Sequence, residues 1–237
     1  ISPKILVPND CSPGLRRTVG VFSARHVWSD VKNVTHRQSN PFGHQPDCQN
    51  FVPGYGDANA HFHVIGDHPG VHGGIDSGIP FTETPGSERL QSALVEAGLL
   101  ESAGTPPTVA QTYFSYLCMC VTPGPPTQAD YDDLERFFDS ELRAITAHVL
   151  LPVGERATKH VLANYAARNG HLDMDALHAT ERQGAGWLIY PIKDPGTWTD
   201  ADEQKLVDAL TTLQQRDYRQ EVDLGRFLPG DDPYRVR

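Results

Sequence analysis

Two rhythms of apolar and polar residues alternate along the chain. In "TQADYDDLERFFDSELRAI" (127–145), Leu134, Phe137, Phe138, Leu142 and Ile145 recur at i, i+3, i+4, i+8 and i+11, with Glu141 on the same stripe. That spacing places them on one face of a helix. Thr127 or Asp130 can cap its start, where acidic residues also meet the positive end of the helix dipole. Similar patterns predict helices over 86–100, 155–170 and 200–215, with Gly170 as a stop for the third and Thr199 or Asp200 as a cap for the last. Between them lie four short apolar runs, "HFHVIG" (61–66), "TYFSYL" (112–117), "AHVLLPVG" (147–154) and "GWLIYPI" (186–192), which read as buried strands. Strands alternating with helices of this length predict a parallel sheet covered on both faces. The expected fold class is therefore α/β: three α/β/α layers around a mostly parallel four-stranded sheet.

The flanks follow neither rhythm. "SNPFGHQPDCQNFVPGYGDANA" (39–60) is rich in Pro, Gly, Asn and Gln, and "DLGRFLPGDDPYRVR" (223–237) is also aperiodic. The expected organisation is an irregular N-terminal extension over 1–50, the α/β/α domain over 51–215 and a C-terminal tail over 216–237.

Composition narrows the classes. Hydrophobic residues make up 38% of 237 residues, enough for a core, and the mean hydropathy is −0.43. No apolar run reaches the roughly 18 residues of a membrane span. The start, "ISPKILVPND", has no basic and apolar leader pattern, so a cytoplasmic location is expected. Cys11, Cys48, Cys118 and Cys120 are unevenly scattered and predict small buried or incidental thiols in place of a disulfide framework. Acidic residues outnumber basic ones 30 to 20, giving a net charge of −10, and lysine occurs only at 4, 32, 159, 193 and 205. Such a balance opposes nucleic-acid binding, because phosphate contacts want a basic footprint. Adaptation to high salt relaxes that objection, since the Debye length at molar salt is only about 3 Å.

"HFHVIGDHPGVHGG" (61–74) concentrates the candidate chemistry. Along an extended strand His61 and His68 would lie roughly 20 Å apart, whereas zinc ligands converge at about 2 Å from one ion. His61 and His63 stand at the strand's entrance and are expected to be bystanders. Ligands of an open parallel sheet bind beyond the carboxyl ends of its strands, which favours Asp67, His68 and His72. The following turn, Gly66 to Gly70, combines glycines that permit close backbone approach with Pro69, which fixes φ. Phe81 follows in the next loop, Ser115 and Tyr116 close the second strand, and Asp194-Pro195-Gly196 follows the fourth.

In this order the motifs resemble those of the uracil-DNA glycosylase superfamily, nearest its archaeal and thermophilic branches. "VPGYGDANAHFHVIGDHPG" resembles the first motif, "GIPFTE" the loop bearing a base-stacking phenylalanine, and "HVLLPVGERATKHVL" a characteristic strand and helix. The likeness runs from about 52 to 215. It implies DNA as partner, a base flipped out of the duplex, and hydrolysis of its glycosidic bond in base excision repair by a monomer. On that basis Asp67, His68 and Asp194 are the expected catalytic residues. Gly66, Pro69, Gly70, Phe81, Ser115, Tyr116 and Pro195 are expected to bind substrate. Asp67 would position the attacking water, and Phe81 would stack on the base. Tyr116 stands where the family has a uracil-reading asparagine, and Asp194 where it has a histidine, so the excised base is uracil or another deaminated base. One branch carries an iron–sulfur cluster; Cys120 matches one of its positions, but "DYDDLERFFDSEL" holds no cysteine, and no cofactor or metal is expected. Two alternatives stay open: a catalytically altered nucleic-acid-binding protein on the same fold, and a zinc hydrolase using His63, Asp67, His68 and His72.

Overall fold

A computed structural model describes residues 40–167, 170, 172–184 and 186–227; most of the expected N-terminal extension, Cys11 and the last ten residues lie outside them. In chain order the elements are β1 (Tyr55–Gly56), β2 (Phe62–Gly66), α1 (Pro69–His72), α2 (Pro85–Glu96), β3 (Leu100–Ser102), β4 (Thr108–Val109), β5 (Thr112–Tyr116), α3 (Gln128–Ile145), β6 (Val149–Pro152), α4 (Gly154–Tyr165), α5 (Met174–Leu177), β7 (Arg182–Gln183), β8 (Leu188–Ile189), a 3-10 turn (Pro195–Thr197), α6 (Asp200–Gln214) and α7 (Tyr218–Phe227). No described helix is long and apolar enough to cross a membrane.

The architecture is α/β/α. The four expected strands are β5, β2, β6 and β8, and they pair in parallel. Two short antiparallel strands widen the sheet to the order β1-β5-β2-β6-β8-β7. Period-two alternation then divides the core. Phe62, Val64, Phe114, Tyr116, Val149 and Leu151 pack with Leu90, Leu94, Leu206 and Leu210 of α2 and α6. Ile65, Leu150 and Ile189 point the other way, against Phe138 and Leu142 of α3 and Val161 of α4. Capping boxes at Thr127/Asp130 and Thr199/Asp202 start α3 and α6 where the sequence signals them.

Three expectations are corrected. The segment from 216 is not an irregular tail: α7 packs Tyr218 and Val222 into the main core. The 39–60 stretch contributes β1 and an antiparallel bridge from Phe51 to Cys120. That bridge brings Cys48 and Cys120, 72 positions apart in sequence, into a disulfide with their Cα atoms 6.2 Å apart. Cys118 keeps its thiol, whose pKa burial pushes up to about 11.

His63 shows what the sheet does to a histidine. Its Nε2 lies 2.6 Å from Ser115 Oγ on the neighbouring strand, its ring is buried beside Phe138, and desolvation drives its pKa down to about 3. Between pH 6.5 and 3 the unfolded chain holds this proton and the folded chain does not. Stability is therefore full above 6.5 and falls as pH falls through that window. We expect His63→Gln to flatten the slope of stability against pH by about 1.4 kcal/mol per unit between pH 6 and 4. Urea melts across that range check it, and an unchanged slope would contradict a neutral buried His63.

Candidate active site

The parallel topology sends four loops to the carboxyl edge of the sheet, and a cleft of about 810 Å³ opens there. Asp67 leaves β2 directly into it, and His72 enters from the end of α1. Val153 and the first turn of α4, with Arg156 and Lys159, form another wall, while Lys193 and Asp194 close it after β8. Asp67 and Asp194, far apart in sequence, share this one space.

Asp67 is held in a defined orientation. Its Oδ1 accepts a hydrogen bond from the hydroxyl of Tyr131, in the first turn of α3. The Arg156 guanidinium lies 4.3 Å over the Tyr131 ring, with its Nε 3.9 Å from Asp67 Oδ2. That distance is too long for a direct hydrogen bond, so Oδ2 keeps its accepting capacity. Burial and the adjacent carboxylate push the Tyr131 pKa far up, which keeps its hydroxyl a donor. With its side chain 19% exposed, Asp67 presents one anchored and one available oxygen to the cleft. Such a carboxylate can take a proton from water and can sit beside a developing positive charge.

His72 makes the floor. Its ring is buried, lies 5.2 Å from Phe81 and stacks at 22° on Tyr116, 6.1 Å away. Desolvation pulls its pKa down to about 4, against the opposing pull of Asp67 and Asp194, so the ring is neutral at pH 7. Its Nε2 has no hydrogen-bond partner.

Phe81 and Tyr116 do not line the cleft, which corrects the expectation of an open stacking ring and an edge reader. Phe81 is fully buried, packed on Phe114 at 5.5 Å. Its backbone fixes it there: the Phe81 amide donates to Tyr116 Oη at 2.8 Å, and Gln91 Nε2 donates to the Phe81 carbonyl at 2.6 Å. Tyr116 in turn donates to the Gly73 carbonyl at 3.0 Å, tying the α1 turn to the sheet. Gly66 serves this packing, because a Cβ there would stand 2.7 Å from both rings. Ser115 alternates to the α3 face, where it meets His63.

The other expected residues take local roles. His68 is the N-cap of α1: its Nδ1 accepts from the Gly70 amide at 3.1 Å, and Pro69 occupies the first helical position. Asp194 lines the cleft while its Oδ1 accepts from the Gly196 amide at 2.9 Å, starting the turn in which Pro195 is buried. The zinc set does not assemble. His63 lies on the α3 face of the sheet and His72 on the α2 face, and among the described residues no three His, Cys, Asp or Glu side chains converge for a metal. Nor do the described cysteines offer a four-thiolate set, since Cys48 and Cys120 are bonded to each other and α3 carries none.

Residues 53–213 match the family model of the uracil DNA glycosylase superfamily. The chain belongs to the uracil DNA glycosylase superfamily. It is 29% identical over 197 residues to a type-5 uracil-DNA glycosylase of Pyrobaculum aerophilum, covering 79% of this chain and 82% of that one. It is also 27% identical over 128 residues to a type-5 uracil-DNA glycosylase of Mycobacterium leprae, covering 52% and 55%.

Within this superfamily member, sequence reasoning missed Tyr131, Arg156, Lys159 and Lys193. A signal for the first two existed: in a parallel α/β sheet the first turn of each crossover helix lies at the carboxyl edge, beside the ligand crevice. Tyr131 and Arg156 fall in the opening turns of α3 and α4, and Lys159 one turn further on.

Proposed function

We propose that this chain is a DNA N-glycosylase that takes a deaminated base, uracil in the first instance, out of the helix and cleaves it from its sugar in base excision repair. The supporting observation is Asp67: a carboxylate at the floor of a cleft, anchored through one oxygen by Tyr131 and open through the other. Its chemistry fits that reaction. The C1′–N1 bond breaks and its electron pair moves onto the base, leaving positive charge on the sugar. The Asp67 carboxylate stabilises that charge and accepts a proton from the water whose oxygen bonds to C1′. No step calls for a metal.

The charge distribution supports a DNA partner despite the overall −10. Exposed Arg156 and Lys159 stand at the mouth of the cleft, where phosphates flanking an extruded nucleotide would lie. Affinity built on so few cations falls with salt, and a duplex with a weakly paired base is the least costly to open.

The test is base release from a uracil-containing oligonucleotide, read as alkali-labile abasic sites at low and at molar salt. We expect single-turnover release of uracil, faster from single strands and U·G mismatches than from U·A pairs. No release of uracil, hypoxanthine or xanthine at either salt would discard the glycosylase reading in favour of a binding protein on this fold.

A further inference from the structure

Arg156 stands where a helix least favours it. It lies in the first turn of α4, which Val153 opens without a side-chain cap. A cation there meets the positive end of the helix dipole, so the position itself is unfavourable. Breaks of a local rule mark sites where another demand prevails. The demand is visible in its partners. The guanidinium lies 4.3 Å over the ring of Tyr131, from the opening turn of α3, and its Nε stands 3.9 Å from Asp67 Oδ2. Tyr131 itself donates to Asp67 Oδ1. Side chains from α3 and α4 thus meet around the carboxylate that follows β2.

We infer that Arg156 is a positioning residue for base release: stacked on Tyr131 and facing Asp67, it keeps the free carboxylate oxygen turned into the cleft. The inference rests on the glycosylase reading above. A carboxylate held by one hydrogen bond still rotates about its Cβ–Cγ bond and swings with the ring that holds it. The planar guanidinium opposes both movements. Its cation–π contact keeps the Tyr131 ring in place, and its attraction for Oδ2 resists rotation of the carboxylate. At 3.9 Å it does so without taking the hydrogen-bonding capacity that an attacking water needs. Half of the Arg156 side chain is exposed, so solvent screens the pair and it adds little to the stability of the fold. Its effect is orientation, to which a carboxylate that must meet both water and sugar is sensitive. The competing role for a cation at the cleft mouth is a phosphate contact and nothing more, and experiment separates the two.

The experiment compares the full chain with Arg156→Gln, Arg156→Lys, Asp67→Asn and the double variant Arg156→Gln/Asp67→Asn. Rates are single-turnover release of uracil from a single-stranded oligonucleotide with protein in saturating excess. Affinity is read on the same oligonucleotide with thymine in place of uracil, from low to high salt. We expect Arg156→Gln to lower the saturating rate by roughly tenfold, inside the span of couplings between residues in contact, while affinity changes less than the rate does. In the Asp67→Asn background no carboxylate is left to position, so the same substitution costs less than about twofold. Arg156→Lys keeps the charge and loses the planar stack, so it matches wild-type affinity at a reduced rate. A saturating rate unchanged in Arg156→Gln, with a salt dependence shallower by about 0.7, the share of one phosphate on a single strand, would overturn the inference in favour of a phosphate contact. So would an equal loss with and without the Asp67 carboxylate. Should release by the Asp67→Asn proteins be too slow to follow, Arg156→Lys decides: reduced rate at full affinity supports the role, and full rate overturns it. These outcomes leave the glycosylase reading intact, whereas a wild-type protein inert on uracil would remove it.

Discussion

Asp67→Asn lowers single-turnover base release by roughly 10²–10⁴-fold, the range for a positioned acid–base group. That corresponds to about 3–5 kcal/mol of lost transition-state stabilisation, at ~1.4 kcal/mol per factor of ten. The substitution is nearly isosteric. Its amide oxygen can still accept from Tyr131, so the α3 turn and the cleft wall should hold their shape. What is lost is negative charge beside the sugar and the ability to take a proton from water. Both act mainly in the transition state, so the loss appears in rate and not in DNA affinity. Tyr131→Phe provides the comparison. Tyr131 acts through Asp67, so its removal should cost less rate than Asp67→Asn. A fall below tenfold in Asp67→Asn, with the protein folded, would mean that another group activates the water.

The parts of this fold that the sequence made legible are those where one rhythm runs long enough to be read. The stripe from Leu134 to Ile145 and the alternation of Phe62, Val64 and Gly66 against His63 and Ile65 each specify a face, and the faces specify three layers. Two-residue strands such as β1 and β7 carry no rhythm at all. Their pairing is decided by tertiary contact, as when the Asp57 amide reaches the Thr112 carbonyl at 3.0 Å. α7 was hidden because only Tyr218 and Val222 of its first half face the core, too few to set a period.

The site was legible to the level of its edge and not of its depth. Asp67 and Asp194 share one space because both follow strands of a parallel sheet. Phe81 and Tyr116 follow the same rule, yet they are buried, because burial depends on what lies over a residue. That cover is His72, carried there by a four-residue helix whose turn is bonded to the sheet through Tyr116 and Gly73. Nothing in the spacing of "GDHPGVHGG" distinguishes a histidine on the floor from the histidine that caps the turn four residues earlier.

That turn depends on Gly73, and the last prediction concerns its stability. Gly73 follows α1 with φ 81° and ψ −165°, a region of backbone space that residues with a Cβ scarcely enter. A Cβ built there would stand 1.8 Å from the Thr82 carbonyl oxygen, a backbone atom that cannot swing aside. Gly73→Ala therefore combines two costs, roughly 1–3 kcal/mol for the backbone conformation and roughly 1–3 kcal/mol or more for overpacking. Gly78 is the natural control: its φ is also positive, at 70°, but a Cβ there meets nothing within 4 Å. Gly78→Ala should carry only the conformational cost of a left-handed residue, about 1–2 kcal/mol. Since about 1 kcal/mol shifts the midpoint of a domain this size by roughly 2–4 °C, thermal melts resolve the pair. The expected order is wild type, then Gly78→Ala, then Gly73→Ala lowest. Gly73→Ala should also lose base release out of proportion to its melting point, because the strain falls on the residue next to His72. Equal midpoints for the two variants would show that the Thr82 segment yields, and that the α1 turn is not clamped between Tyr116 and Thr82.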